Sequence, residues 1–263
     1  MKGSCIKKAK VDSTTKPNWL ELPIGLTKNI LQRLGTIDIV TSARNVCPLW
    51  RKICQDPLMW RTIHIASGFT IDCFAYMGKI CRSAIDLSSS NLEDITISWF
   101  ATDELLEYLA HRARQLRRLQ LFHCYEISDK GLGEFVKRFS LLEELVICHC
   151  SCSLSKDFLE LIGRCCPLLK SLNLERLSSL RFYGKRDEAL AFAKTMTGLR
   201  HLKLNGIYVN YVGFLAILDG CHHLESFDLQ SPTSLVGKCN EALAIAKTIS
   251  GLRHLKLNGI NFS

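Results

Sequence analysis

A cluster of cysteines and histidines near the middle of the chain is the set of residues best suited to chemistry. It consists of the dipeptide His123-Cys124 and the run Cys148-His149-Cys150-Ser151-Cys152. Thiolates and imidazoles are common zinc ligands, but structural zinc sites usually separate paired cysteines by two or more residues. The cysteines here alternate one by one, so we expect no metal and no cofactor.

No familiar catalytic motif occurs in the 263 residues. A phosphate-binding glycine loop, G-x-S-x-G and H-E-x-x-H are all missing from the sequence, so it carries no motif for phosphoryl transfer, esterase or zinc-peptidase chemistry. We therefore predict a protein that is not an enzyme, and we assign no catalytic residue.

The net charge of +9 is distributed unevenly. Residues 1–17 carry five lysines and one aspartate, and we predict a basic, disordered tail there. Residues 63–263 are close to neutral, with 23 basic and 21 acidic side chains, which argues against a nucleic-acid partner. No apolar run approaches the roughly 18 residues of a membrane span. Thirteen cysteines without an export signal favour a reducing compartment, so we expect the nucleus, the cytoplasm or both.

An internal repeat determines which elements must position these residues. Residues 187–207 recur at 240–260 with 17 of 21 positions identical. Half of the distance between the two copies is close to the spacing of Leu-x-x-Leu-x-Leu motifs. These motifs begin near residues 116, 142, 169, 199, 224 and 252. A period of about 20 to 29 residues with this motif is typical of leucine-rich repeats. We predict an α/β fold over residues 63–263, a curved solenoid with parallel strands on its concave face and an opening unit near residues 84–87.

The cysteines fit the same repeat. The segment from Leu121 to Leu132 resembles the cysteine-containing class of leucine-rich repeats, in which small buried thiols occupy fixed positions shortly before or shortly after the strand. The positions that match are Cys124, Cys150, Cys166 and Cys221. This resemblance implies that these thiols pack as small hydrophobes.

Residues 18–62 differ from the repeats and predict three short helices, the first of them after Pro23. A core of about 40 residues is too small to be stable alone, so this unit should pack on a partner. The segment resembles an F-box, and the matching residues are Leu22-Pro23, Ile30, Leu34, Ile37, Ile39-Val40, Ala43, Val46-Cys47, Trp50-Arg51, Asp56-Pro57 and Trp60. Over roughly residues 18–260 the chain resembles plant F-box/leucine-rich-repeat proteins of the Skp-interacting-partner type.

That resemblance implies the substrate-recognition subunit of an SCF-type cullin-RING ubiquitin ligase. The F-box would dock on the Skp adaptor, which brings the cullin and RING subunits, and the repeats would hold an unidentified protein substrate. The residues expected to face the adaptor are Leu22, Pro23, Ile30, Leu34, Ile39, Val46, Trp50 and Trp60. The alternative for several of them is that they only close the three-helix core.

Strand alternation predicts which side chains the concave face presents. The triplets are Arg118, Gln120, Phe122; Glu144, Val146, Cys148; Ser171, Asn173, Glu175; His201, Lys203, Asn205; Ser226, Asp228, Gln230; and His254, Lys256, Asn258. Because the duplication repeats His-Lys-Asn two strands apart, we hypothesise that this end contacts an acidic, extended segment. The alternative is a solvated surface whose lysines are offset by Asp228.

Two other functions stay open at this stage. One is a leucine-rich-repeat scaffold that joins no ligase, and the other is a truncated, non-functional family member. The second arises because only six residues follow the last strand motif. We expect no capping element there and an exposed apolar edge around Leu255, Leu257 and Ile260.

Overall fold

A computed structural model describes residues 21–66, 73–176, 188–230, 235, 238–246, 248–249, 251–257 and 260–262. The predicted basic tail and the predicted concave residue Asn258 lie outside these residues.

Three short helices form the N-terminal part: α1 (Ile24–Leu31), α2 (Thr36–Thr41) and α3 (Pro48–Cys54), with 3-10 turns at Ala43–Asn45 and Pro57–Trp60. Pro48 opens α3 at a position where the missing N–H costs no hydrogen bond. The Cys47 thiol accepts a hydrogen bond from Trp50 N at 3.4 Å and caps the same helix. Asp56 caps the last 3-10 turn by accepting from Leu58 N at 3.0 Å.

Strands and helices alternate through the remaining described residues. The strands are β1 (Thr62–Ala66), β2 (Asp94–Ser98), β3 (Arg118–Phe122), β4 (Glu144–Cys148), β5 (Ser171–Glu175), β6 (His201–Asn205), β7 (Ser226–Gln230), β8 (His254–Leu257) and β9 (Ile260–Phe262). The helices are α4 (Phe74–Leu87), α5 (Asp103–Arg112), α6 (Asp129–Val136), α7 (Lys156–Cys165), α8 (Glu188–Thr195), α9 (Tyr211–Gly220) and α10 (Cys239–Ala246). Among these helices, none is long and apolar enough to cross a membrane.

All nine strands form one sheet in chain order, which confirms the predicted leucine-rich-repeat solenoid. β1 to β8 are parallel, and β9 runs antiparallel to β8. The register aligns equivalent residues in rows, so that Arg118 lies beside Glu144 and Glu144 beside Ser171. The strand side chains that face away from the helices form the inner surface of such a solenoid, and we call this surface the concave face.

One hydrophobic core runs from the N-terminal helices into the repeats. Leu119 and Leu121 of β3 are fully buried, and the same alternation recurs along the sheet. Trp60 belongs to this cluster together with Ile63 of β1. The Thr36 hydroxyl accepts a hydrogen bond from His64 N at 3.2 Å, which ties α2 to the first strand. The N-terminal helices therefore cover the first strand instead of forming a separate core.

The repeated cysteines lie inside the solenoid. Cys124, Cys150, Cys166 and Cys221 are buried. The thiols of Cys124 and Cys150 donate to the Ile97 and Leu121 carbonyls of the preceding strands, each at 3.7 Å. These bonds link adjacent repeats, and the eleven cysteines whose side chains the structure describes are free thiols.

The predicted opening unit near residues 84–87 is wrong. These residues form the last turn of α4, whose buried side chains Ile80, Cys81, Ala84 and Ile85 follow helical spacing. The first two strands are β1 and β2, where isoleucines occupy the buried positions of the motif. A sequence motif defined by leucine therefore does not detect β1 and β2.

Two further boundaries differ from the predictions. Each motif strand begins two residues after its first leucine, because Leu116 and its equivalents lie in the turn before the strand. The predicted exposed edge at the last repeat is also wrong, since Leu255 and Leu257 are only 5% and 3% exposed. β9 pairs with β8 through Leu257 and Ile260 and covers that edge of the sheet.

Candidate functional site

The outer surface of the N-terminal helices carries many exposed apolar side chains. They are Ile24, Leu26, Ile30, Leu34, Val46 and Leu58. Val46 is 62% exposed and Leu58 55%, and Leu34 and Leu58 line the same cavity of about 420 Å³. A group of exposed apolar residues on so small a unit marks an interface, because burying each such side chain fully would be worth roughly 1.5–3 kcal/mol.

Helix α1 is apolar on two sides, which explains this surface. Thr27 and Leu31 face inward and are buried, whereas Leu26 and Ile30 on the helix, and Leu34 in the turn after it, lie exposed. The Thr27 hydroxyl donates to the Pro23 carbonyl at 3.4 Å, so a polar residue occupies the inner position. A helix that exposes apolar side chains opposite its buried side needs a second partner in addition to its own core.

An ion pair holds the last turn of this unit against α1. The Lys28 ammonium lies 2.5 Å from an oxygen of the Asp56 carboxylate. The hydrogen bonds from Lys28 and from Leu58 N hold the pKa of Asp56 below its usual range. Asp56 thus anchors the turn that carries Leu58. The exposed Leu58 is not among the adaptor-facing residues predicted from the sequence.

The residues predicted to face the adaptor fall into two groups. Pro23, Ile30, Leu34 and Val46 are exposed, and Leu22 and Trp50 are partly exposed. They remain predicted docking residues.

Ile39 and Trp60 need a correction, because their side chains are 6% and 1% exposed and lie in the shared core. The Trp60 indole also donates to the Cys54 carbonyl at 2.8 Å, so it fixes α3 against the first strand and is not available for docking.

The concave face presents rows of mostly polar residues. Arg118 and His201 are exposed, as is His254 in the last repeat. Gln120, Phe122, Glu144, Lys203, Asn205, Asp228 and Lys256 are partly exposed. Two predicted concave residues are in fact covered: Val146 is 6% exposed and Cys148 3%. Both lie on β4, which pairs with β3 on one side and β5 on the other.

Glu175 is the centre of a polar network on this face. Its carboxylate accepts a hydrogen bond from the Asn205 amide at 2.6 Å. It lies 3.7 Å from His149 Nε2 and 3.8 Å from the Lys203 ammonium. Burial, reinforced by the Glu175 charge, raises the pKa of the neighbouring Cys148 thiol to about 12. That thiol is therefore protonated at neutral pH and is a poor nucleophile.

Three stacked rings line the rim of the concave face, directly after strands β2, β3 and β4. Trp99 and His123 stack with centroids 4.3 Å apart, and His123 and His149 stack at 5.0 Å. Tyr125 packs edge-on against Trp99 at 5.9 Å. The three stacked residues have left-handed backbones, a conformation that Gly206 adopts in a later repeat with φ of 70°. Large rings thus occupy a position where glycine would be less strained.

Sequence reasoning missed this stack, although its signal was present. The dipeptide His-Cys occurs at 123–124 and again at 149–150, the same repeat position, which places the two imidazoles on adjacent turns of the solenoid. Within the residues that the structure describes, no group of three or more histidine, cysteine or acidic side chains could hold a metal ion.

The basic end of the concave face matches its predicted alignment. Lys203 lies beside Asp228, which lies beside Lys256 in the register. Asp228 accepts from the Gln230 amide at 3.0 Å, and within the described residues no ion pair joins it to either lysine. Lys203 lies 3.8 Å from Glu175 instead, and each ammonium group has three N–H donors, so both lysines keep donors that a partner could use.

Comparison with known proteins gives consistent similarities. Residues 19–62 match the F-box domain family. The chain is 40% identical over 254 residues to F-box protein SKIP19 of Arabidopsis thaliana, a match that covers 94% of this chain and 82% of that protein. It is 42% identical over 216 residues to F-box/LRR-repeat protein 23 of the same plant, covering 81% of this chain but only 48% of that relative. A tropomodulin C-terminal domain from Caenorhabditis elegans overlaps 65% of this chain and 98% of that domain, with 13% identity and a TM-score of 0.40.

Proposed function

The chain belongs to the F-box/leucine-rich-repeat family, and on that premise we propose that it is the substrate-recognition subunit of an SCF-type cullin-RING ubiquitin ligase. Its F-box docks on a Skp-family adaptor, which connects it to the cullin and RING subunits. The chain itself performs no catalysis; it brings a bound protein close to the ubiquitin-transferring subunits. It works in the nucleus, the cytoplasm or both.

One observation carries the docking half of this proposal. The F-box buries its inner side, with Ile39 and Trp60, against the solenoid and leaves apolar side chains such as Leu26 and Val46 exposed on its outer side. Such a surface gains stability when a constant partner covers it. The scaffold alternative, in which the repeats bind partners without a ligase, leaves this exposed surface without a role.

The test is co-purification of the full chain with a plant Skp adaptor and cullin. The double substitution Leu26→Glu, Val46→Glu should abolish co-purification, because it would bury two unpaired carboxylates in the interface. A matched control places the same charges on exposed apolar residues of the repeats, Leu168→Glu and Val212→Glu, and should bind normally. An unmodified chain that recruits neither adaptor nor cullin would instead favour the scaffold.

The substrate half rests on the concave face. We place an acidic, extended segment of the substrate over β6 to β8, where His201, Lys203, His254 and Lys256 present donors. The substitutions Lys203→Glu and Lys256→Glu should remove proteins that the unmodified chain captures when the ligase is inactive, measured by quantitative mass spectrometry. Adaptor binding should not change. If the set of captured proteins is identical, the solvated-surface alternative holds.

A further inference from the structure

The net charge of the concave face changes sign along the solenoid. On β1 to β5 the acidic side chains Asp94, Glu144 and Glu175 outnumber the basic Arg118, a net charge of −2. On β6 to β8, Lys203 and Lys256 outnumber Asp228, a net charge of +1. A partner that fits both halves must carry charges of opposite sign at its two ends.

The acidic half contains an acceptor that has no donor. Asn173 Oδ1 on β5 is buried and receives no hydrogen bond from any residue that the structure describes. An unsatisfied buried polar atom costs free energy of about 1–3 kcal/mol, which a donor would recover on reaching it through a shift of the covering side chains. Asn173 shares its strand face with Glu175 and lies one strand from Glu144.

The nearby carboxylates of Glu144 and Glu175 can each accept more hydrogen bonds than they do. Glu144 accepts from the Gln120 amide at 3.1 Å and forms no ion pair within the described part of the chain. Glu175 has one lysine within 4 Å, Lys203, at the long distance of 3.8 Å. Arg118 on β3 lies beside Glu144, but its guanidinium pairs with Asp94 at 2.8 Å. Arg176, which follows Glu175, donates to the Leu154 carbonyl at 3.3 Å. The site is therefore rich in acceptors.

The surroundings favour a planar cation on an apolar stem. Val146 and Cys148 on β4, which are 6% and 3% exposed, form a largely covered apolar floor beside Asn173 and Glu175. His149 ends the ring stack on the side of β5, with its Nε2 near Glu175. A guanidinium group stacks on flat rings and donates to carboxylate and amide oxygens at once, and its methylene stem packs on apolar surface.

From these observations we propose that the concave surface formed by Val146, Cys148, His149, Asn173 and Glu175 binds an arginine side chain of the partner protein. The proposal deepens the proposed function, because it rests on that partner being the ligase substrate. It also sets the direction of the bound segment, with arginine over β4 and β5 and acidic residues over β6 to β8.

Binding of arginine itself can be tested without the ligase. We would titrate isotope-labelled full chain with Nα-acetyl-arginine methylamide, up to concentrations on the order of 10 mM, and follow backbone amide signals by NMR. Saturable shifts should centre on His149, Asn173 and Glu175. The citrulline analogue, which has the same shape without the charge, should bind at least about fivefold more weakly.

Variants locate the site. Glu175→Gln and Asn173→Leu should each weaken arginine binding about fivefold or more, whereas Glu225→Gln, a carboxylate paired with Arg200 away from this surface, should not. Equal binding of the two analogues, shifts centred elsewhere or no saturable shifts would overturn the proposal. If a variant does not fold, the comparison of analogues on the unmodified chain still decides. Adaptor co-purification is unaffected by these outcomes, so failure here is distinct from failure of the proposed function.

Discussion

The F-box and the concave face of the repeats present opposite kinds of surface. The F-box exposes apolar side chains such as Val46, at 62%, and hides its polar Thr27. The concave face exposes charged and polar rows, with Arg118, Glu144 and Lys203 among them, and covers its apolar Val146. Apolar area supplies affinity for one constant partner, whereas patterned charge selects among partners. The two surfaces therefore suit a shared adaptor and a specific substrate, respectively.

The largest effect should come from the residue that joins these two regions. Trp60→Ala removes a fully buried indole and its hydrogen bond to Cys54, so we expect the free energy of unfolding to fall by about 3–5 kcal/mol. Chemical denaturation of the full chain measures this, with Val46→Ala as the exposed control. If Trp60→Ala kept its stability but lost adaptor binding, Trp60 would be a docking residue after all.

A smaller effect should distinguish the exposed F-box residues from the buried ones. Leu58→Ala should weaken adaptor binding about tenfold and change stability by less than about 0.5 kcal/mol, because the side chain is largely exposed in the free protein. Since Leu34 and Leu58 line one cavity, the double substitution should be non-additive by about 0.5 kcal/mol or more. Calorimetric titration with the adaptor measures both the loss of affinity and the non-additive part of the binding free energy. Leu141→Ala on the repeats is the matched control, and equal losses for it and Leu58→Ala would contradict the assignment.

Salt should affect the two surfaces differently. Raising the salt concentration from about 50 to about 500 mM shortens the screening length, so binding of Nα-acetyl-arginine methylamide to the concave face should weaken about threefold to fivefold. Adaptor binding through the apolar F-box surface should change less than about twofold. The same two titrations in both buffers provide the measurement. A stronger salt effect on the adaptor than on the arginine probe would reverse the comparison.

The sequence predicted the repeats well because their pattern is local. Leucine periodicity located six strands. Residue type also favours helix caps at Ser155 and Asn210, and both accept the capping hydrogen bonds, from Phe158 N and Gly213 N. Asn240 has a residue type that favours the same position, but it lies inside α10, which begins one residue earlier.

The site was less predictable because burial depends on which elements meet. Nothing local to Trp60 or Ile39 shows that they pack against the solenoid and not against an adaptor. Likewise, the covering of Val146 and Cys148 results from side chains on neighbouring strands about 25 residues away along the chain. Their exposure could be known only after the strands were aligned in space.

The smallest expected effect concerns the pH dependence of stability at the rim. Burial lowers the pKa of His123, the neighbouring His149 lowers it further, and Glu175 opposes both. The unfolded chain, with a histidine pKa of about 6.5, therefore binds a proton before the folded chain does. The stability that neutral His123 contributes is complete above about pH 6.5 and is lost as the pH falls through the lowered folded value.

His123→Phe keeps a ring for Trp99 to stack on but cannot titrate. Between about pH 7.5 and pH 5.5, the melting temperature of this variant should therefore fall by about one degree less than that of the unmodified chain. His123→Gln, which loses the ring as well as the charge, should show the same reduced pH slope at a lower overall stability. That pattern would separate the titration of His123 from its stacking, and a slope unchanged in both variants would show that the stack contributes nothing to the acid sensitivity of the concave rim.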